Sequence, residues 1–248
     1  MFGLFSKALF SPVTDIPDLN GKVILVTGGN ANLGLHTIKH LARHGAKVYM
    51  GARSETRAKE ALEQLKAEGP GNGEVVWLKL DLSDPHKAKK AEEPNSDVRV
   101  IPVTSDTHRL IRKASFKAKD DINKEYADSW APSMMRYGLS KLCNILYIHE
   151  LQRGIRTDRT EHLLDNWNFI VRWLYRFQLQ QFPTPDIAAH NSVFAAAAPI
   201  VKEKPKIYKT CYLDPIAKIG DVTAVAKDEA LQKELWETTE RLVEEIGL

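Results

Sequence analysis

The sequence predicts an α/β fold built on a doubly wound parallel sheet, abridged in its second half. Three observations predict it. Val23-Ile-Leu-Val26 is an unbroken apolar run, as expected of a strand buried on both faces of a parallel sheet. A loop carrying Gly28, Gly29 and Gly34 follows at once. Leu35, Ile38, Leu41 and Ala42 then recur at helical spacing, and Val48 to Met50 form a second apolar run. Together they make one βαβ unit with a glycine-rich first turn. Glycines let a backbone approach a pyrophosphate, and the helix amino-terminus behind them offers free N–H groups and a positive dipole end. A tight turn with no ligand would use glycines too, so the flanking strand and helix carry the reading.

Composition sets wide bounds. The 248 residues suit one α/β domain, 1–248, or at most two small ones, and 43% hydrophobic residues suffice for a core. Thirty-five basic residues nearly balance 32 acidic ones, so nothing demands nucleic acid. Two cysteines, Cys143 and Cys211, cannot build a disulfide framework, which points to a reducing, cytoplasmic setting. Residues 1–12 are apolar but too short to span a bilayer; they read as a packed tail, with weak membrane contact the lesser reading. No transmembrane segment is expected, and self-association stays open.

After the second strand, Ser54 can cap a helix through Arg57, Ala61, Leu62 and Leu65, ended by turn residues 68–73. Glu74 to Leu82 reads as a third strand closing on Asp81. Val98 to Val103, ending in Thr104-Ser105, is the next expected strand. Residues 106–136 are a long polar connection of the kind that forms lids or binding loops. A helix carrying Leu139, Leu142 and Leu146 follows, then an aromatic helical stripe from Leu163 to Phe177. Asp186 to Val201 reads as an alanine-rich helix, Ile207 to Leu213 as an edge or last strand, and Asp228 to Ile246 as a closing helix.

Tyr137 and Lys141 stand four apart and share a helix face. A phenol titrates near ~10 unperturbed, and a neighbouring ammonium favours the phenolate. A hydroxyl at a strand end, Ser105, can hold a substrate carbonyl. Hydride transfer to a ketone needs that set: a held oxygen, a proton donor and a hydride source. At the end of strand two, Gly51-Ala-Arg53-Ser54 has no acidic residue to bind ribose hydroxyls. Arg53 can instead fork onto a 2′-phosphate, with Arg57 and Lys59 close behind, so NADP(H) is expected over NAD(H).

Thr27-Gly-Gly-Asn30, Val103-Thr-Ser105 with His108, and Tyr137-Gly-Leu-Ser-Lys-Leu-Cys-Asn144 resemble the short-chain dehydrogenase/reductase family, nearest its retinol-dehydrogenase-like and WW-domain-oxidoreductase-like branch. The resemblance covers 18–82, 98–153 and 180–246. It implies a Rossmann-type sheet, with a dinucleotide-binding half at 18–82 and a catalytic and substrate half at 98–248. It implies Ser105, Tyr137 and Lys141 as the catalytic set. Gly28, Asn30, Asn32, Leu33, Gly34, Arg53 and Asp81, with Tyr137 and Lys141, would hold the cofactor. Asn32 stands where the family usually has glycine, and asparagine best tolerates the left-handed backbone needed there. His108 is read as a loop histidine. No metal ligands are assigned.

The expected function is NADP(H)-dependent interconversion of a carbonyl and an alcohol on a small apolar substrate. The apolar preference rests on Trp167, Trp173, Phe177 and Phe182. A role in secondary metabolism stays open. The alternative is a catalytically impaired relative that binds a nucleotide or a partner. It rests on what the family has and this chain lacks: an Asn-Asn-Ala-Gly strand end, the helix after it with its catalytic asparagine, and a later Pro-Gly segment. Residues 83–97 have room for one crossover, not two. The sequence therefore favours Val98–Val103 moving beside Val23–Val26, with Ser105 displaced by about 5 Å, weak NADPH binding and slow or absent catalysis.

Overall fold

The computed structural model describes residues 10–69, 71–82, 99–152 and 184–247. In chain order the elements are β1 (Val23–Thr27), α1 (Asn32–Arg43), β2 (Lys47–Ala52), α2 (Glu55–Glu68) and β3 (Glu74–Lys79). A 3₁₀ turn (Asp106–Leu110), α3 (Lys119–Ile122) and α4 (Pro132–Gln152) follow. Then come α5 (Pro185–Ala197), α6 (Pro199–Glu203), α7 (Pro205–Tyr208), β4 (Tyr212–Leu213), β5 (Ile219–Gly220), a second 3₁₀ turn (Val225–Lys227) and α8 (Glu229–Glu245). They form two compact units. One holds β1 to β3 and α5 to β5; the other holds residues 102–152 and 221–247 among those described.

The first unit is the α/β parallel sheet that the sequence predicts, in abridged form. The order is β1-β2-β3, all parallel, with Val26 opposite Met50 and Met50 opposite Trp77. Ser54 caps α2 by accepting the Arg57 N–H at 3.4 Å. Val48 and Met50 of β2 pack against Ile38, Leu41 and Ala42 of α1, Ala58 and Leu65 of α2, and Val193 of α5, all buried. Phe10 is buried edge-on to Phe194, as a packed tail would be; residues 1–9 lie outside the described region.

Asp186, in the first turn of α5, ties that helix to α1. Its Oδ1 accepts from Lys39 Nζ at 2.8 Å, His36 Nδ1 at 3.0 Å and His40 Nε2 at 3.1 Å. Burial alone would raise the Asp186 pKa, but the hydrogen bond from Lys39 and the His40 and Lys39 charges outweigh it and bring it to about 2. Burial pushes His40 down to about 4, against the pull of Asp186.

The second unit is helical. Leu139, Leu142 and Leu146 of α4 are buried against Ile111, Phe116, Leu231 and Leu235. Tyr147 stacks on Trp236 at 4.9 Å, and the Phe116 N–H donates to Glu234 Oε2 at 2.7 Å. Asp228 caps α8, accepting from the Ala230 and Leu231 N–H groups.

Several expectations are corrected. Val98 lies outside the described residues, and 99–103 form no strand. The reason is where this segment spends its polar groups. Arg99 donates to the Ala195 and Ala196 carbonyls at 3.1 and 3.0 Å, and the Val103 carbonyl accepts from Lys141 Nζ and Asn144 Nδ2, each at 3.1 Å. Among the described residues β1 therefore has a neighbour on one side only. Val23 is 68% and Leu25 42% exposed, so β1 is not buried on both faces. The third strand stops at Lys79, short of Asp81. Pro199 breaks the alanine-rich helix into α5 and α6. Residues 207–213 are not one strand: Pro205 starts α7, and two residues then pair with β5. The connection 106–136 is less open than expected, because it contains the first 3₁₀ turn, α3 and the start of α4. The aromatic stripe at 163–177, with Trp167, Trp173, Phe177 and Phe182, lies outside the described residues.

The exposure of Val23 has a measurable consequence. Ile38→Ala, at 0% exposure, should cost about 2–5 kcal/mol in urea unfolding, as buried truncations do. Val23→Thr should stay within about 0.5 kcal/mol, as exposed changes do. A cost for Val23→Thr above about 1 kcal/mol would mean that something covers β1.

Candidate functional site

The glycine-rich turn leaves β1 at Thr27 and enters α1 at Asn32. Gly28 takes φ +62°, and Asn32 takes φ +44°, the left-handed backbone expected of it. Gly29 donates to the Gly51 carbonyl at 3.3 Å, which fastens the turn to the end of β2. A Cβ at Gly34 would sit 2.5 Å from the Gly28 carbonyl oxygen, so the turn closes on itself only with glycine there. Ala31 offers no side-chain cap to α1, and the first turn of α1 has no acidic residue. Among the described residues, neither the cap nor the first turn of α1 thus sets an acidic side chain at its leading N–H groups and positive dipole end. Gly28 is exposed, while Asn30, Leu33 and Gly34 are half-buried around it.

Arg53 follows β2 and is exposed, with no hydrogen bond or ion pair of its side chain among the described residues. Lys59 is less available than the sequence suggests, because Glu55 holds it at 2.8 Å. Asp81 is half-buried just beyond β3. A tight glycine turn leading into a helix start without a side-chain cap fits the diphosphate of a dinucleotide.

The other three candidate residues lie in the second unit. Ser105 is not a strand end but the cap of the first 3₁₀ turn, its Oγ accepting the Thr107 N–H at 3.3 Å. This turn lies against α4 at Gly138, where a Cβ would stand 2.6 Å from the Thr107 carbonyl. Thr104 Oγ1 donates to the Lys141 carbonyl at 2.9 Å, and Lys141 Nζ donates back to the Val103 carbonyl. Ser105 is therefore fixed to the helix that carries Tyr137 and Lys141. The Lys141 ammonium lies 5.3 Å from the Tyr137 ring centroid, on the shared face that their spacing predicts. Tyr137 is half-buried. His108 is more than a loop histidine: it is fully buried, and its Nδ1–H donates to the Ser105 carbonyl at 2.8 Å. Its place three residues after Ser105, inside a capped turn, was the signal for that role.

A family model described as short chain dehydrogenase matches residues 22–96. The short chain dehydrogenase/reductase dpfgH of Gibberella zeae is 34% identical, over 94% of this chain and 86% of the relative. The short-chain dehydrogenase/reductase drtF of Aspergillus calidoustus is 31% identical, over 91% and 94%. The chain belongs to the short-chain dehydrogenase/reductase family of oxidoreductases, which use nicotinamide cofactors. The match is to the family as a whole and does not single out the retinol-dehydrogenase-like branch. A solved, uncharacterized protein from Mycobacterium paratuberculosis shares the fold alone, at 18% identity and a TM-score of 0.61, over 95% of this chain and 97% of that one. The alignment with dpfgH runs over 302 positions, whereas this chain has 248 residues. At least 54 positions (302 less 248) thus face gaps in this chain, in keeping with the segments that the sequence lacks.

The turn is sensitive at one position and tolerant at another. Gly34→Ala should destabilise the protein by about 1–3 kcal/mol, because backbone must move to admit the methyl group. Asn32→Gly should be neutral or slightly stabilising, since it removes a left-handed Cβ. Paired urea melts check both. Equal costs at the two positions would contradict this geometry.

Proposed function

We propose that the chain is an NADP(H)-dependent oxidoreductase that interconverts a carbonyl and an alcohol on a small apolar substrate. It would work as one domain, with 18–82 as the dinucleotide-binding half and 98–248 as the catalytic and substrate half. Gly28, Asn30, Asn32, Leu33 and Gly34 hold the cofactor diphosphate, Arg53 its 2′-phosphate and Asp81 its adenine end. The cofactor, when bound, supplies the hydride that reaches the carbonyl carbon. Ser105 donates a hydrogen bond to the carbonyl oxygen, Tyr137 gives that oxygen its proton, and Lys141 stabilises the phenolate left behind. Lys141 also binds the nicotinamide ribose beside Tyr137.

The observation that carries this reading is the attachment of the Ser105 turn to α4. Thr104 to Lys141, Lys141 to Val103, and the close approach at Gly138 all fix Ser105 to the tyrosine helix. The displacement of Ser105 expected from a relocated strand loses its premise, since 99–103 form no strand beside β1. A second reading, a catalytically impaired nucleotide- or partner-binding relative, is favoured by the one-sided pairing of β1 among the described residues and by the alignment gaps. A cytoplasmic setting suits the two free cysteines. Among the described residues no helix is long and apolar enough to cross a membrane.

Turnover of a panel of apolar ketones and aldehydes with NADPH separates the two readings. Tyr137→Phe should lower kcat by about a hundredfold or more and leave cofactor affinity near that of the wild type. Arg53→Asp should erase the preference for NADPH over NADH and leave the α4 site intact. Cofactor binding without turnover by the wild type would establish the second reading. Normal turnover by Tyr137→Phe would move the acid elsewhere.

A further inference from the structure

Two helical pairs meet in the first unit, and the nucleotide site uses neither. His36 and His40 stand four apart on α1; Asp186 and His190 stand four apart on α5. Each spacing puts two donors on one helix face. The helices bring them together across the joint, where one donor atom each from His40, Asp186 and His190 lies within 4.8 Å of the others. The His40 Nε2 is 3.1 Å from Asp186 Oδ1, and the His190 Nε2 is 3.9 Å from Asp186 Oδ2. The two imidazoles meet edge to face at 5.6 Å. His40 is buried, and the side chains of His190 and Asp186 are 16% and 38% exposed, so the cluster keeps a route to solvent.

We propose that His40, His190 and Asp186 form a binding site for a divalent d-block cation of the zinc class, which clamps α1 to α5. Two imidazoles and one carboxylate suit zinc or cobalt better than magnesium or calcium, which favour all-oxygen sites. Metal–nitrogen bonds near ~2.0 Å place tetrahedral ligands about 3.3 Å apart. The cluster has only to contract by rotation of Asp186 and His190, the two more exposed members. His40 and His190 bind through Nε2, each moving its ring proton to Nδ1, so no redox change is involved. Water completes the fourth position.

Lys39 is the built-in competitor. Its ammonium holds Asp186 Oδ1 at 2.8 Å and repels an incoming cation. It has a second acceptor, Glu68 Oε2 at 3.5 Å, to which it can withdraw. His36 keeps its hydrogen bond to Asp186 and orients the carboxylate, as neighbours of metal ligands do. A metal here fastens the helix that begins at the glycine turn.

The test strips the purified full-length chain with chelator and titrates it with Co²⁺ and then Zn²⁺. Saturable one-to-one binding is expected, with the visible absorption of four-coordinate cobalt. Zinc should displace the cobalt and raise the melting temperature by a few degrees. His190→Ala and Asp186→Asn should each lower the affinity by about tenfold or more. Their folds can be checked by circular dichroism. Lys39→Met should raise the affinity, a gain that an adventitious surface site would not show. His44→Gln and Cys211→Ser should leave it unchanged. The proposal is overturned if the wild type does not saturate, if folded His190→Ala binds as tightly, or if either control loses the metal.

Discussion

The end of β2 is the point on which the rest of the first unit depends. Among the described residues, β2 is the strand with a parallel neighbour on each side. Its register sets Thr27 opposite Gly51, and the Gly51 carbonyl accepts the Gly29 N–H, so the glycine turn is held where β2 ends. Arg53 and the cap of α2 leave the same end. The glycine turn and Arg53 thus both leave the sheet at the carboxyl ends of its strands, where open α/β sheets hold ligands.

The abridgement acts on the opposite side of the same sheet. A full doubly wound sheet would cover β1 with a further strand. Here residues 99–103 give their polar groups to helix ends and side chains, and β1 keeps exposed valine and leucine at its edge. Unpaired strand edges carry a cost that proteins usually manage by covering or charging them. The helix joint at Asp186 offsets part of it, because α1 is held by α5 as well as by the sheet.

The legible part of the sequence was local. The run Val23–Val26, the stripe on α1 and the strand at Val48–Met50 each carry their own periodicity, and each forms the element it predicts. Asn32 was legible because the turn needs a left-handed residue and asparagine is the side chain that supplies one. The Tyr137–Lys141 face was legible from spacing alone. What failed depends on distant partners. Val98–Val103 reads as a strand in isolation, but a strand needs a neighbour, and Lys141 and Asn144 both donate to the Val103 carbonyl. The His36/His40 and Asp186/His190 pairs were not singled out in the sequence. Their meeting was not legible there, since about 150 positions separate them.

The central claim is that a chain whose β1 has a neighbour on one side only, among the described residues, binds a dinucleotide at the turn after β1. Hydrogen exchange of the amides from Gly28 to Leu35, with and without saturating NADPH, tests it most directly. The account predicts that these amides slow on addition of NADPH while those of α8 do not change. Exchange that is the same across residues 28–35 with and without NADPH would contradict it.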